Sequence, residues 1–186
     1  MESPDIPWAK RHDDRPAPKE FSEPPDQAAV FFHEFLKLKN LTSGKLADVG
    51  CGNGRNAIYF AKEGYEVHAI DHNSSLVKDL DMYGVNAYSF SLFDYWFFED
   101  GFFDFIIDSG CHSNEIVLTK KEIYVSEVKR VLKKGGFYLL ASTSYPIEIE
   151  KGFENDFIES GFEIVEKTKT KIKNEQKTIF IMRSKV

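Results

Sequence analysis

Lys45-Leu46-Ala47-Asp48-Val49-Gly50-Cys51-Gly52-Asn53-Gly54-Arg55-Asn56 is the stretch that decides the fold of this 186-residue chain. Leu46 to Val49 has the makings of a buried strand, and three alternate glycines carry it straight into a helix. Glycines at that spacing, between strand and helix, let the backbone turn sharply and come close to a ligand. The free N–H groups of the helix start then face an anion or a polar ligand. About twenty residues on, Val67-His68-Ala69-Ile70 ends in Asp71, where such folds place a carboxylate for ribose hydroxyls. The glycines alone are a weak signal; set between strand and helix, with an acid at the next strand end, they are a strong one.

Outward from this stretch, strand and helix alternate. Upstream, Ala29, Phe32, Phe35 and Leu36 follow helical spacing from Asp26, with Pro25 suited to the start. Downstream, Asn53 to Glu63 is a helix stopped by Gly64, and Tyr65 to Ile70 the second strand. A helix from Ser74 to Tyr83 and a third strand from Val85 to Phe90 follow. Phe103-Asp104-Phe105-Ile106-Ile107 is a central buried strand ending at Asp108. Lys120 to Leu132 is a helix with Ile123, Val125, Val128, Val131 and Leu132 apolar, and Gly135-Gly136 turns it into the strand Phe137 to Ala141. A short helix over Phe153 to Ser160 precedes two strands, Phe162 to Lys171 and Lys177 to Met182, joined by a turn at Asn174-Glu175. The expected fold is α/β: a doubly wound, mostly parallel seven-stranded sheet, Rossmann-like, closed by an antiparallel C-terminal hairpin. Right-handed crossovers then align Gly50, Asp71, Asp94 and Asp108 along one edge, where open α/β sheets bind ligands.

Residues 1–25 hold six of the seven prolines and form an arm outside this pattern, leaving residues 26–186 as the domain. Trp8 and Phe21 in the arm are costly to leave in water, which favours an arm folded over a ligand against a disordered tail. The 17 Phe predict a core and pocket rich in aromatic surface. No apolar run approaches membrane-spanning length, and the first residues do not open a signal peptide. Two cysteines, Cys51 and Cys111, make no metal or disulfide framework, so the expected setting is cytoplasmic, with no metal. A formal net charge of −6 without a basic block disfavours nucleic acid and anionic membrane as partners.

From Asp26 on, the chain resembles class I S-adenosylmethionine-dependent methyltransferases. The resemblance rests on the Asp48–Gly54 loop, on Asp71, and on Asp100-Gly101-Phe102-Phe103-Asp104-Phe105-Ile106 leading into the fourth strand. It continues through Glu127-Val128-Lys129-Arg130-Val131-Leu132-Lys133-Lys134-Gly135-Gly136 and the final hairpin. Gly50-Cys51-Gly52-Asn53-Gly54-Arg55-Asn56, with Tyr59 and Gly64, is similar to the small-molecule branch of tellurite-resistance and thiopurine-type enzymes. A nicotinamide fingerprint would want a small residue one place beyond Gly54, where Arg55 stands.

The resemblance implies a set of cofactor-binding residues: Asp48, Gly50, Gly52, Asn56, Asp71, Asn73, Leu92, Phe93, Asp94 and Asp108. Gly50 and Gly52 would let the loop approach the methionine part of the cofactor, and Asp71 would accept both ribose hydroxyls or, alternatively, cap the next helix. Asp48 would order the loop or meet the cofactor amine through water, or else be a buried acid satisfied by backbone amides. Asp94 would accept from the adenine amine between the walls Leu92 and Phe93; if Ser91 holds that place, Asp94 is a helix cap. Near Asp108, Gly110 permits close approach to the sulfonium.

Methyl transfer needs a base only when the nucleophile arrives protonated, and His112 is the best placed to be that catalytic residue, or else a loop histidine bonded to backbone or solvent. Trp8, His12, Phe21, His112 and Tyr145 are the candidate acceptor contacts, from the arm and the Ser142–Gly152 loop. No Asn/Asp-Pro-Pro-Tyr/Phe run follows the fourth strand, and in the superfamily that run marks methylation of base and glutamine amino groups. The expected reaction is therefore methyl transfer from S-adenosylmethionine to a small acceptor, such as a thiol or another soft nucleophile. The alternatives are methylation of RNA or a protein side chain, which a basic face around Lys167, Lys169, Lys171 and Lys173 would favour, and a module that holds the cofactor without turnover.

Overall fold

Alternation along the central strands sends successive side chains to opposite faces of one sheet, and each face collects its own helices. A computed structural model of the chain describes residues 23–111, 120–143, 147–172 and 175–185. Its elements in order are α1 (Gln27–Leu38), β1 (Lys45–Val49), α2 (Arg55–Lys62), β2 (Glu66–Asp71), α3 (Ser74–Val77) and β3 (Asn86–Ser89). Then come β4 (Phe103–Ser109), α4 (Lys121–Val131), β5 (Leu132–Thr143), α5 (Ile147–Glu159), β6 (Phe162–Ile172) and β7 (Glu175–Ser184). The seven strands form one sheet in the order β3-β2-β1-β4-β5-β7-β6, with β7 antiparallel to both neighbours and the other pairings parallel.

On one face Leu46, Phe105, Ile107, Leu139 and Ile181 pack against Ala28, Phe32 and Leu36 of α1 and Ala57, Ile58 and Phe60 of α2. On the other, Ala47, Val49, Ile106, Tyr138, Leu140 and Met182 pack against Tyr124, Val128 and Val131 of α4 and Phe157 of α5. The parallel central strands are covered on both sides, and their carboxyl ends are left as an accessible edge. None of the described helices is long and apolar enough to cross a membrane.

Four details depart from the sequence reading. The expected Ser74–Tyr83 helix is one turn of α3 and a 3-10 turn over Leu80–Tyr83, because Leu80 is drawn under the glycine-rich loop, into the space that Gly54 leaves by having no Cβ. β5 begins at Leu132 rather than Phe137, since Leu132 already pairs with Phe103 across a bulge. On α4 the buried row runs through Tyr124, Val128 and Val131, while Ile123 faces water. The Ser142–Gly152 stretch is not one loop: Ser142 and Thr143 end β5, and α5 starts at Ile147. The Ile147-Glu148-Ile149-Glu150 alternation imitates a strand and hides that helix turn.

The loop before β4 is fastened by Arg130 of α4. Its guanidinium donates to Glu127 (2.7 and 3.0 Å), Asp100 (2.9 Å) and the carbonyls of Trp96 and Phe98 (each 2.7 Å), and stacks on Tyr95. Burial would raise the Glu127 carboxyl, but Arg130 and the Trp96 amide outweigh it and hold the pKa below the usual value. Removing one member of such a shielded pair leaves an uncompensated charge. Arg130→Met is therefore expected to lower stability by about 3–5 kcal/mol in urea unfolding; a loss under about 1 kcal/mol, the range of an exposed pair, would contradict this reading.

Candidate active site

The site is built on the carboxyl ends of β1, β2 and β4. After Val49 the chain turns so that the N–H groups of Gly50 and Cys51 both donate to the Ile70 carbonyl of β2 (2.8 and 3.0 Å). Gly50, Gly52 and Gly54 all take left-handed φ angles, 66°, 56° and 81°, a region costly for other L-residues. Two of the three are glycine for packing reasons as well: a Cβ on Gly50 would stand 2.5 Å from Cys111 Cβ, and one on Gly54 2.4 Å from Leu80 Cδ2. A Cβ on Gly52 would meet nothing within 4 Å, and the same holds for Gly110 beyond β4. Beside each of those two glycines a side chain would find open space.

Three carboxylates stand along this edge. Asp71, 7% exposed, accepts the N–H of Gly52 on one oxygen (3.0 Å) and that of Asn73 on the other (2.9 Å). The cap of α3 is Asn73, whose side chain accepts from Ser75 N–H. Asp71 is thus free of capping; with the His72 imidazole also 3.2 Å from Oδ1, a carboxylate with about four acceptor positions has about one or two left. Asp48, 2% exposed, accepts the N–H of Ala57 in the first turn of α2. Burial, reinforced by the Asp108 and Asp71 charges, pushes its pKa up to about 7 against the pull of the Ala57 amide and Arg55. Asp108 is fully buried, accepting from the Tyr124 hydroxyl (2.6 Å) and the Cys111 N–H (2.8 Å).

Among the described residues, the buried side-chain oxygens without a hydrogen-bond partner are Asp48 Oδ2 and Ser109 Oγ. Both belong to this edge. Unsatisfied buried polar atoms cost about 1–3 kcal/mol each, so a pair at one crevice is a mark of a polar ligand.

The other expected cofactor residues spread out. Asn56 is buried with its Oδ1 accepting from Asp26 N–H (2.8 Å). Leu92 is in the core beside Trp96, whose indole N–H donates to the Leu92 carbonyl (3.2 Å). Phe93 is half-buried under the Lys120 ammonium. Asp94 is exposed, in a turn that Ser91 stabilises, and no helix begins there for it to cap. Trp8, His12, Phe21, His112 and Tyr145 lie outside the described residues. Both cysteines are free, and burial pushes each thiol pKa up, so at neutral pH they are poor nucleophiles. No group of three or more His, Cys, Asp or Glu among the described residues could hold a metal.

Some participants are not evident from sequence. Ser109 carries no motif, and Tyr124 looks like one more apolar position of α4. Asp26 is the N-cap of α1 and also holds Arg55 (2.9 Å) and Lys177 (3.3 Å). Burial would raise its pKa, but the Ala28 amide, Lys177 and Arg55 together lower it. Glu23 accepts from the Asn53 amide of the glycine-rich loop (2.7 Å), so the chain ahead of α1 passes directly by the loop.

The comparisons agree with this architecture. Residues 47–140 match the family described as methyltransferase domain, whereas no curated protein matches the chain in sequence. The fold is shared with an S-adenosylmethionine-dependent methyltransferase from Methanosarcina mazei, at TM-score 0.70 and 18% identity over 84% of this chain and 97% of that one. It is shared too with the 1,6-didemethyltoxoflavin N1-methyltransferase of Burkholderia thailandensis, bound to its substrate and S-adenosylhomocysteine, at TM-score 0.69 and 16% identity over 86% and 77%. A TehB-like methyltransferase from Corynebacterium glutamicum aligns at TM-score 0.66 and 17% identity over 85% and 98%. The matched residues span β1 to β5 and include the glycine-rich loop, Asp71 and Asp108. The chain therefore belongs to the methyltransferase-domain family and is an S-adenosylmethionine-dependent enzyme.

Proposed function

We propose that the enzyme methylates a small molecule, a thiol or another soft nucleophile, as in the tellurite-resistance and thiopurine-type branch. The observation that carries this reading is the charge of the crevice. Asp48, Asp71 and Asp108 stand at the strand ends that form it, Asp48 and Asp108 just beneath its surface, and the chain carries a formal net charge of −6, which repels a polyanion such as RNA. Lys167, Lys169 and Lys171 lie on the edge strand β6, away from those strand ends, where lysines discourage edge pairing. The toxoflavin enzyme that shares the fold acts on a small molecule. Two free cysteines support a cytoplasmic setting.

The residues present fit the cofactor. Asp71 would take the ribose hydroxyls, the Gly50–Gly52 backbone with the open face of Gly52 the methionine part, and Leu92, Phe93 and Asp94 the adenine. Asn73 stands beside Asp71, and Asn56 at the start of α2 accepts the Asp26 N–H. Bound there, S-adenosylmethionine supplies an already activated methyl carbon. What remains for the chain is to align the acceptor in line and exclude water. His112, which follows Cys111, would remove a proton from an acceptor that arrives with one. The test is a methylation screen across thiols, phenols, amines and metalloid oxyanions, with RNA and protein alongside, read by S-adenosylhomocysteine formation. Turnover on a small acceptor is expected; turnover confined to RNA or protein overturns the reading.

Asp48 gives a pH signature. Its folded pKa lies above the unfolded value of 3.8, so its contribution to ligand-free stability is lost as pH rises from about 4 through about 7. A cationic ligand prefers the ionised form. Affinity for S-adenosylmethionine is therefore expected to tighten about tenfold between pH 6 and 8, and Asp48→Asn to flatten that slope. Equal slopes in the two proteins would contradict it.

Residues 1–25 are proposed as an arm that covers the acceptor, with Trp8, His12 and Phe21 as candidate contacts alongside Tyr145. The support is the Glu23–Asn53 bond, which holds the last residues of the arm at the glycine-rich loop. Deleting residues 1–22 is expected to leave cofactor affinity within about threefold while acceptor turnover falls at least about a hundredfold. Full activity in the truncated protein would refute the lid.

A further inference from the structure

Asp108 links two parts of the molecule that do not otherwise explain each other. One carboxylate oxygen accepts the Tyr124 hydroxyl from α4 at 2.6 Å, and the other accepts the Cys111 N–H at 2.8 Å. Tyr124 is fully buried, and its hydroxyl lies 3.4 Å from that of Tyr138 on β5. At the far end of the link, Cys111 sits where a Cβ on Gly50 would be, within 2.5 Å of its own Cβ. A continuous chain of contacts thus runs from α4 through Asp108 and Cys111 to the first glycine of the cofactor loop. Between its ends lie Ser109, with its bare Oγ, and Gly110, with open space beside it.

We propose that Tyr124 is a positioning residue for the cofactor crevice: through Asp108 its hydroxyl sets how the loop after β4 seats against Gly50. The proposal rests on this crevice being the cofactor site. Tyr124 meets the crevice at Asp108 and acts through that carboxylate. A buried phenol beside a carboxylate stays protonated, and both burial and the Asp108 charge push the Tyr124 pKa up, so it remains a donor at any working pH. A charge-assisted O–H to carboxylate bond is short and directional, and it fixes the carboxylate plane. With that plane fixed, the second oxygen is aimed at the Cys111 amide. A phenylalanine of the same shape would fill the core equally well and remove the 2.6 Å bond, leaving the Tyr138 hydroxyl, which also bonds Asp108, to hold the carboxylate on that side.

The test is a double-mutant cycle on S-adenosylhomocysteine affinity in the full chain, by calorimetry at pH 8, with the backbone amide resonance of Cys111 followed by NMR. Tyr124→Phe is expected to weaken binding about tenfold and to shift the Cys111 amide. Asp108→Asn is expected to weaken it by a similar factor, and the double variant no further than the weaker single one. Factors that multiply in the double variant, or Tyr124→Phe with wild-type affinity and an unmoved Cys111 amide, would overturn the proposal. If Asp108→Asn does not fold, the affinity and amide shift of Tyr124→Phe decide it alone. Wild-type protein that binds no S-adenosylhomocysteine overturns the cofactor site and this proposal with it; tight wild-type binding left unchanged by Tyr124→Phe overturns this proposal alone.

Discussion

Asp71→Ala is expected to weaken binding of S-adenosylmethionine and of its demethylated product at least about a hundredfold. Hydrogen bonds to a charged group contribute about 1.5–3 kcal/mol each, and two ribose hydroxyls on one carboxylate make about 3 kcal/mol or more. The same change also frees the Gly52 N–H, which Asp71 holds at 3.0 Å, so the loop loses its fastening to the end of β2. Asp71→Asn keeps one carbonyl acceptor and is expected to fall between, about tenfold weaker than wild type. Calorimetry on the three proteins gives the order directly, and equal affinities would sink the ribose assignment.

The second large effect is at Gly50. Gly50→Ala places a Cβ 2.5 Å from Cys111 Cβ and 2.6 Å from its Sγ, in a residue whose φ is 66°. The left-handed conformation costs about 1–2 kcal/mol for an alanine, and the overlap forces the loops after β1 and β4 apart. Loss of measurable cofactor binding is expected, with a stability loss of about 2–4 kcal/mol. Adding Cys111→Gly removes the overlapping atoms and should return stability to within about 2 kcal/mol of wild type. Gly52→Ala makes a useful contrast. Its Cβ meets no protein atom within 4 Å, so it should cost only the φ strain in stability yet abolish binding, because the occupied space is the ligand's. Gly52→Ala with normal affinity would show that the open space is not used.

The fold was legible because its deciding signals are local. The Asp48–Asn56 stretch, the acid at Asp71 and the apolar run through Phe105 and Ile107 each follow from spacing within one or two elements. The sheet edge they predict is present. Side-chain partnerships across elements were not legible. Nothing in the spacing of α4 says that Tyr124 rather than Ile123 points inward, because both are bulky and adjacent and only the packing of α4 on β4 and β5 decides. On sequence grounds Asp48 could order the loop or face the cofactor, or be a buried acid satisfied by backbone amides; it is buried on the Ala57 amide with its Oδ2 unpartnered, an arrangement no spacing reveals. Arg55 excluded a dinucleotide loop by its size, while its bond to Asp26, 29 residues away, belongs to tertiary structure. Asp94 is the clearest case of a register that sequence left open, since the turn after β3 has no periodicity to fix it.

The most direct test of the account is a crystal structure of the full chain with S-adenosylhomocysteine. The expected complex has the ribose hydroxyls within hydrogen-bond distance of Asp71 and the homocysteine part against the Gly50–Gly52 backbone, on the open face of Gly52. It also has a polar atom of the ligand, or a water that it holds, on Asp48 Oδ2. A ligand bound elsewhere, or one in this crevice that leaves Asp71 and Asp48 Oδ2 without contact, would contradict the site.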